Sequence, residues 1–331
     1  MASTVPTGLG VVEVRGARLE DFDGIATVFA ACSRVDGYDT IRTADHLRAA
    51  VVGTPDAVVD EQFHVAVAGD HVVGYSWGTV SGNDGPDGRL LWHDGRVLPG
   101  WRGLGIGRVL LAAAHEGARF HGERRHGPAS GASVIRTSVP EHATSARRLL
   151  EHEGYSVVRY MVRMVRPSLA DPPSPELPSG LECRPATRAT AMQILLALDE
   201  AFRDHWGYHG ETDAEREASI DHPIAGQLEV WQIAWDGDEV AGGVLGFIND
   251  DENREFGRRR GYTEGIFTRR SWRGRGLATA LIGRNLRLLA ELGMTEAALT
   301  VDAENTTGAL ALYRRVGFEP RRTNLVFERP A

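Results

Sequence analysis

The run Ser271-Trp272-Arg273-Gly274-Arg275-Gly276-Leu277-Ala278 sets two glycines and two arginines between an apolar stretch, Gly265-Ile266-Phe267, and an amphipathic one that continues to Leu292. That order describes a strand turning into a helix. The first N–H groups of a helix have no intrahelical acceptor and carry the positive end of its dipole, so a tight bend into them presents donors to an anion. Glycine permits positive φ and close approach, and Arg273 and Arg275 add charge. The chemistry is that of a phosphate or pyrophosphate cradle, although such turns also serve simply to pack a helix on a sheet.

What the chain lacks narrows that chemistry. All 37 basic residues are arginine, since the sequence contains no lysine. A Walker A loop, whose lysine reaches the β and γ phosphates, is excluded, as is a lysine Schiff base for pyridoxal phosphate. The cradle must work through backbone N–H groups and arginine. A nicotinamide dehydrogenase is disfavoured because the turn lacks the full Gly-x-Gly-x-x-Gly spacing and its ribose-binding acid. Cys32 and Cys183 stand far apart, each without a companion at metal-ligand spacing, so neither a disulfide framework nor a zinc site is implied. No metal is expected.

The elements that must position the turn belong to a chain of 331 residues, a length that suggests two domains. A net charge of −8 argues against a duplex nucleic-acid partner. No apolar run reaches the roughly 18 residues of a membrane helix, and no leader pattern opens the chain, so a cytoplasmic protein with no membrane partner is expected. Oligomeric state is not legible.

Alternation at 11–15 reads as an edge strand and helical spacing covers 19–31. A hairpin is expected across Gly69-Asp70-His71, joining 63–67 to 72–77. A strand at 89–98 leads into Trp101-Arg102-Gly103-Leu104-Gly105-Ile106-Gly107 and a helix at 108–120. A glycine-rich loop (121–131), a strand (133–138), a helix (144–152), Gly154-Tyr155 and a strand (157–165) complete a first domain, 1–166. Residues 167–180 carry all five prolines of 166–180 and read as a linker. The order then repeats over 181–331: strand (181–184), helix (187–202), hairpin (232–235 and 239–248), strand (262–268), the opening turn, helix, strand (297–301), helix (306–316), Gly317-Phe318 and a last strand (324–327). The halves form an internal repeat.

The pattern Arg-x-x-Gly-x-Gly/Ala followed by Asn-x-x-x-Ala-x-x-x-Tyr-x-x-x-Gly-Phe resembles the GCN5-related N-acetyltransferases (GNAT). The second half matches with Arg273, Gly276, Ala278, Asn305, Ala309, Tyr313, Gly317 and Phe318, and the first with Arg102, Gly105, Gly107, Ala146, Gly154 and Tyr155. The resemblance covers nearly the whole chain and implies an α/β (α+β) fold: two tandem domains, each a mixed, mostly antiparallel twisted sheet with flanking helices and splayed fourth and fifth strands. It implies acetyl-CoA as cosubstrate, its pantetheine in the gap along the backbone of Phe267 and Thr268. The pyrophosphate would sit on Arg273, Gly274, Arg275, Gly276, Leu277 and Ala278, with Asn305 nearby. A second cofactor site at Arg102, Gly103, Gly105 and Gly107 is implied by the first half.

The same resemblance places Glu264, nine residues before Arg273, as the base that removes the amine proton through water, and Tyr313 as the group that protonates or steadies the leaving sulfur. A surface carboxylate and a core aromatic are the plain alternatives. In the first half Leu150 stands at the tyrosine position, His142 replaces the asparagine, and His93, nine residues before Arg102, is either a base or a solvated strand end. The first half is therefore expected to bind CoA without efficient transfer. The acceptor, a small-molecule amine, would meet Asp204, Trp206 and Tyr208 after the first helix of the second half. The rival expectation is a non-catalytic acyl-CoA-binding or regulatory module.

Overall fold

The computed structural model describes residues 3–53, 56–82, 88–129, 131–305 and 308–331. The chain divides into two compact units, Met1–Arg159 with Asn324–Ala331, and Tyr160–Thr323.

In the first unit β1 (Ser3–Thr7), β2 (Gly10–Gly16), α1 (Phe22–Asp36), α2 (Ala44–Gly53), α3 (Val59–Gln62), β3 (Phe63–Ala68), β4 (His71–Val80), β5 (Arg89–Val97), α4 (Ile106–His126), β6 (Ser133–Pro140) and α5 (Thr144–His152) precede β7 (Ser156–Arg166). The expected hairpin is present, with Ala68 facing His71 across Gly69-Asp70. The strand at 10–16 is not an edge, because β1 pairs antiparallel outside it, Val5 opposite Val12. β1 contains Pro6, whose missing N–H is tolerated because the strand has one free side at the edge of the sheet. Helix α4 also runs further than expected. His121 is fully buried within it, its Nδ1 2.9 Å from the Thr79 hydroxyl, so the polar tail at 121–126 is the last turns of a helix rather than a loop.

Strand β5 runs parallel to β6 only from Arg89 to Trp92, while it stays antiparallel to β4 from Leu91 to Val97. Past Trp92 the sheet therefore opens. Val28, Phe29, Val65 and Tyr75 fill the core on the α1 side, and Leu91, Leu111, Ile135 and Leu150 a second cluster.

The second unit contains β8 (Glu182–Arg184), α6 (Arg188–Phe202), α7 (Asp213–Asp221), β9 (Gln232–Asp236), β10 (Glu239–Val244), β11 (Phe247–Ile248), α8 (Asp250–Glu255), β12 (Arg260–Tyr262), β13 (Phe267–Thr268), α9 (Leu277–Glu291), β14 (Glu296–Asp302), α10 (Ala309–Arg315) and the start of β15 (Glu319–Pro330). The expected helix at 306–316 is observed from Ala309; Thr306 and Thr307 lie outside the described residues. The strand expected at 262–268 is split. Thr263 N–H still donates to the Ala298 carbonyl at 2.9 Å, but the Glu264 carbonyl accepts from Leu245 N–H at 2.9 Å, and Phe267 and Thr268 pair with Gly243 and Gly242. The chain leaves β14 and joins β10 at Glu264.

A linear division at 166 and 181 does not coincide with the compact units. In the second unit Met161–Arg166 of β7 pair antiparallel with Asp302–Ala297 of β14, and in the first Asn324–Pro330 of β15 pair with Pro140–Val134 of β6. Each half of the sequence thus lends its closing strand to the other unit. Nor is 167–180 a free linker. Leu169 is buried and its N–H donates to the Thr295 carbonyl at 3.1 Å, while the Pro173 carbonyl lies against Gly283 of α9. Its prolines shape a strap on the second unit's core.

Candidate functional site

Both glycine turns adopt one geometry. Gly274 and Gly276 have φ of 74° and 85°, Gly103 and Gly105 of 76° and 84°, and in each unit the second glycine is the left-handed residue that starts the helix. No side chain caps either helix start. At Gly274 and Gly276 nothing lies within 4 Å of where a Cβ would stand, so the α9 turn faces open space. At Gly105 the Val5 Cγ1 of β1 comes to 3.8 Å.

The leading arginines serve the turn itself. Arg273 Nε donates to the Thr268 carbonyl and Nη2 to the Ala201 carbonyl, both at 3.1 Å. Arg102 makes the equivalent bond, Nε to the Val97 carbonyl at 2.9 Å, and forks onto Asp36 at 2.8 and 2.7 Å. The expected phosphate charge of these two residues is thus committed behind the turn. Arg275 is exposed and stacks on Trp272, its Cζ 4.6 Å from the ring centre. Leu277 is core and Ala278 half-buried. Gly107 of α4 sits at the position of Ala278, where a Cβ would meet Leu149 at 3.2 Å. Phe267 and Thr268 form β13, the edge of a four-stranded sheet. The Thr268 hydroxyl is buried without a partner, the kind of orphan that a bound group with polar atoms satisfies. Asn305 N–H donates to the Asp302 carbonyl at 3.1 Å, at the end of β14.

Glu264 occupies the point where the chain, after β12, leaves β14 and turns towards β10 as β13, with 28% of its side chain exposed. Burial pushes its carboxyl up to about 7; the Arg163 guanidinium, 3.4 Å away, and hydrogen bonds from Thr300 hold it from rising further. Tyr313 of α10 is 8% exposed and packs edge-on to Phe318, ring centres 6.4 Å apart. Its phenol is pushed up, first by burial and then by the Glu264 charge, so it stays protonated at neutral pH. Among the described residues no group hydrogen-bonds its hydroxyl. The structure thus brings the candidate base and the candidate acid into one electrostatic environment.

The first unit has no counterpart. Leu150 is core, 4% exposed. His93, 6% exposed, is not a solvated strand end: its Nε2 lies 2.8 Å from the Tyr155 hydroxyl, which also meets His115 Nε2 at 2.6 Å. A phenol donates one proton, so one imidazole must receive it and the other must donate an N–H to the phenol oxygen. Burial lowers His93 to about 3 and His115 to about 4, keeping both neutral.

The expected acceptor segment is only partly assembled. Asp204 is exposed and pairs with Arg270, Nη2 to Oδ1 at 2.7 Å, so its carboxylate is already neutralised; Trp206 is 37% exposed and Tyr208 half-buried. The cation beside Glu264 is instead Arg163, which no spacing argument could find because it belongs to a strand lent by the other half of the sequence.

The profile of the Acetyltransferase (GNAT) family matches residues 195–318, and that of a second Acetyltransferase (GNAT) domain matches 59–157. A mycothiol acetyltransferase from Geodermatophilus obscurus is 30% identical over 243 residues, covering 70% of this chain and 72% of its own. The chain belongs to the GNAT acetyltransferase family. A mycothiol acetyltransferase from Thermobispora bispora is 27% identical over 323 residues, covering 93% and 96% of the two chains. Among solved structures, a GCN5-related N-acetyltransferase from Sphaerobacter thermophilus superposes with a TM-score of 0.73 at 27% identity, covering 96% of this chain and 95% of its own. A tandem GNAT protein from the clavulanic acid biosynthesis pathway shares the fold, with a TM-score of 0.67 at 16% identity over 96% and 98%.

As a GNAT protein this chain is an acyltransferase whose acetyl donor is acetyl-CoA. The open turn at Gly274-Gly276, the uncapped start of α9 and the departure of β13 from β14 to pair with β10 suit an elongated diphosphate thioester. No helix among the described residues is long and apolar enough to cross a membrane.

Proposed function

We propose that the second unit transfers the acetyl group of acetyl-CoA to the primary amine of a small molecule by direct attack in a ternary complex. One observation carries this reading: Glu264, with its carboxyl at about 7, shares its surroundings with the unpartnered hydroxyl of Tyr313. Bound acetyl-CoA supplies the activated thioester. A base near neutrality removes the amine proton, directly or through water, without binding it too tightly. A phenol that stays protonated can give its proton to the departing sulfur. The turn from Arg273 to Ala278 would hold the diphosphate through the N–H groups that begin α9, with Arg275 as the exposed cation. The backbone of Phe267 and Thr268 would order the pantetheine, and Asn305 would stand at its far side. Two domains in the expected sense, with catalysis in the second, remain our reading of a chain whose sequence halves exchange closing strands.

The first unit, with Leu150 at the acid position and His93 bonded to Tyr155, is proposed to bind CoA without transfer, through the backbone of the turn that Arg102, Gly103, Gly105 and Gly107 form. The name of the relatives puts the unacetylated precursor of mycothiol first among acceptors to test, beside other small amines. Asp204, Trp206 and Tyr208 are proposed to border the acceptor, Asp204 through its pair with Arg270. Release of free CoA from acetyl-CoA, measured against that panel and compared with Glu264→Gln, tests the reading. Acetyl-CoA binding with no release on any amine would favour the binding module instead.

A further inference from the structure

The first unit buries a cation with which no carboxylate among the described residues forms an ion pair. Arg96, on β5, is 9% exposed, and its guanidinium is sandwiched between the rings of Phe29 and Tyr38, with Cζ 3.6 and 3.9 Å from their centres. Nη1 donates to the Ser33 hydroxyl at 2.9 Å and reaches the Phe29 carbonyl at 3.4 Å, both neutral groups. Nε is buried with no partner, and no carboxylate among the described residues pairs with the side chain. Arg102, a few residues on, is by contrast neutralised by Asp36.

Tyr75 stands directly opposite Arg96 in the register of β4 and β5, on the same face of the sheet. It is 1% exposed, and its hydroxyl is also buried without a partner. Two buried donors therefore adjoin, and neither is bonded by an acceptor among the described residues. Burying a charge unpaired is strongly unfavourable, and the aromatic faces above and below offset only part of that cost. With both faces covered and Nη1 engaged, the edge formed by Nε and Nη2 is left. That edge is the fork which a carboxylate grips with two parallel hydrogen bonds.

The surrounding charges are compatible with an anion. Arg42 lies 5.8 Å from the same Phe29 ring, and its charge reaches Tyr75. Asp94, two residues before Arg96 on β5, is the acid whose field reaches both Arg96 and Tyr75, but its Oδ1 accepts from Gly95 N–H at 2.8 Å rather than from Arg96. A ligand must therefore be small and bring its charge to the Nε side of the guanidinium.

We propose that the first unit binds a small carboxylate-bearing ligand between α1, the segment 37–43 and strands β4 and β5. The Arg96 fork holds the carboxylate, the Tyr75 hydroxyl donates a third hydrogen bond to it, and Phe29 and Tyr38 clamp the arginine in place. This site uses neither Glu264 nor Tyr313 and stands apart from the acetyl transfer of the second unit.

The test is a titration of the whole chain with sodium propionate, followed by the arginine Nε–H signals in nitrogen-15 NMR, with the Arg96 signal assigned by its loss in Arg96→Lys. Propionate should move that signal saturably, while propionamide, the neutral isostere, and sodium chloride at matched ionic strength should not. Tyr75→Phe keeps the cation and its aromatic clamp, so it should bind propionate roughly tenfold more weakly, the loss of one hydrogen bond to a charged group. Should Arg96→Lys not fold, selective labelling with Tyr75→Phe as the neighbouring perturbation supplies the assignment. No saturable shift, an equal shift with propionamide or chloride, or unchanged affinity in Tyr75→Phe would each overturn the proposal.

Discussion

The Arg163 guanidinium stands 3.4 Å from the Glu264 carboxylate across a sequence separation of 101 residues. Arg163 faces Thr300 in the β7–β14 register, and both help to hold the Glu264 carboxyl from rising further. The strand exchange thus puts a cation from one half of the sequence beside the candidate base of the other. Burial alone would leave that carboxyl still harder to ionise.

A pH-rate profile should expose this pairing. A base with its pKa at about 7 is active only when deprotonated, so kcat/KM should rise about tenfold per pH unit below 7 and level off above it. Arg163→Met removes the lowering influence, and the rising limb should move to higher pH. Activity at pH 6 should then fall well below that of the parent while activity at pH 9 converges with it. The acceptor amine also titrates, but its limb does not depend on Arg163. A limb unmoved by Arg163→Met would separate Glu264 from the rate.

Tyr313→Phe removes only the hydroxyl that no described residue bonds, so packing against Phe318 should survive. Turnover should fall by about a hundredfold or more, the range of a lost general acid, with acetyl-CoA affinity little changed. Stopped-flow single turnover and calorimetry on the same preparation separate the two effects. Equal turnover would remove Tyr313 from the mechanism.

The pair of imidazoles on Tyr155 makes the first unit acid-sensitive. Both histidines have folded pKa values, about 3 and about 4, below their ordinary 6.5, so the unfolded chain binds protons first as pH falls. Their stabilisation is complete above 6.5 and is lost progressively as pH falls toward 4 and then 3. Tyr155→Phe should destabilise the unit at neutral pH by roughly 1–3 kcal/mol, because two buried imidazoles lose their partner. Thermal melts from pH 7.5 to 4.5 measure both effects, and a melting temperature flat across that interval would contradict the assignment.

Local chemistry was readable in the chain, and partner choice was not. Gly69-Asp70 between two alternating runs gave a correct hairpin, and the amphipathic run 144–152 a correct helix, because turn conformation and periodicity are local properties. The same alternation in 157–165 marks a strand but carries no information about its neighbour, so the exchange of β7 and β15 was invisible, and with it Arg163. The surroundings of His93 were illegible for a related reason, and only its reading as a solvated strand end is overturned. Its partners His115 and Tyr155 lie on α4 and after α5, and their meeting at one hydroxyl depends on how those elements pack over β5.

The strap at 167–180 gives a purely structural test. A Cβ at Gly283 would fall 2.2 Å from the Pro173 carbonyl oxygen, a backbone atom that cannot swing aside. Gly283→Ala should therefore lift the strap from α9 at a cost of about 1–3 kcal/mol. Limited proteolysis should then show faster cleavage within 167–180, and unchanged protection would mean that the strap adds little to the second unit's stability.

The glycine turns can be told apart by counting sites. Gly276, at φ 85° and facing open space, is costly for a β-branched residue twice over: the backbone disfavours the conformation, and a side chain there would stand over the N–H groups that begin α9. Gly276→Val should remove acetyl-CoA binding at the second unit. The first turn has the same φ values, yet Val5 of β1 stands 3.8 Å from where a Gly105 Cβ would be, so its mouth is narrower. If both turns bind, calorimetry should give a stoichiometry of two for the parent and one for Gly276→Val, the remaining site disappearing in Gly105→Val. A stoichiometry of one that Gly276→Val abolishes would show that the first turn keeps the conformation of the site without its function. A stoichiometry of one that survives Gly276→Val would place the donor in the first unit and overturn the assignment of transfer to Glu264 and Tyr313.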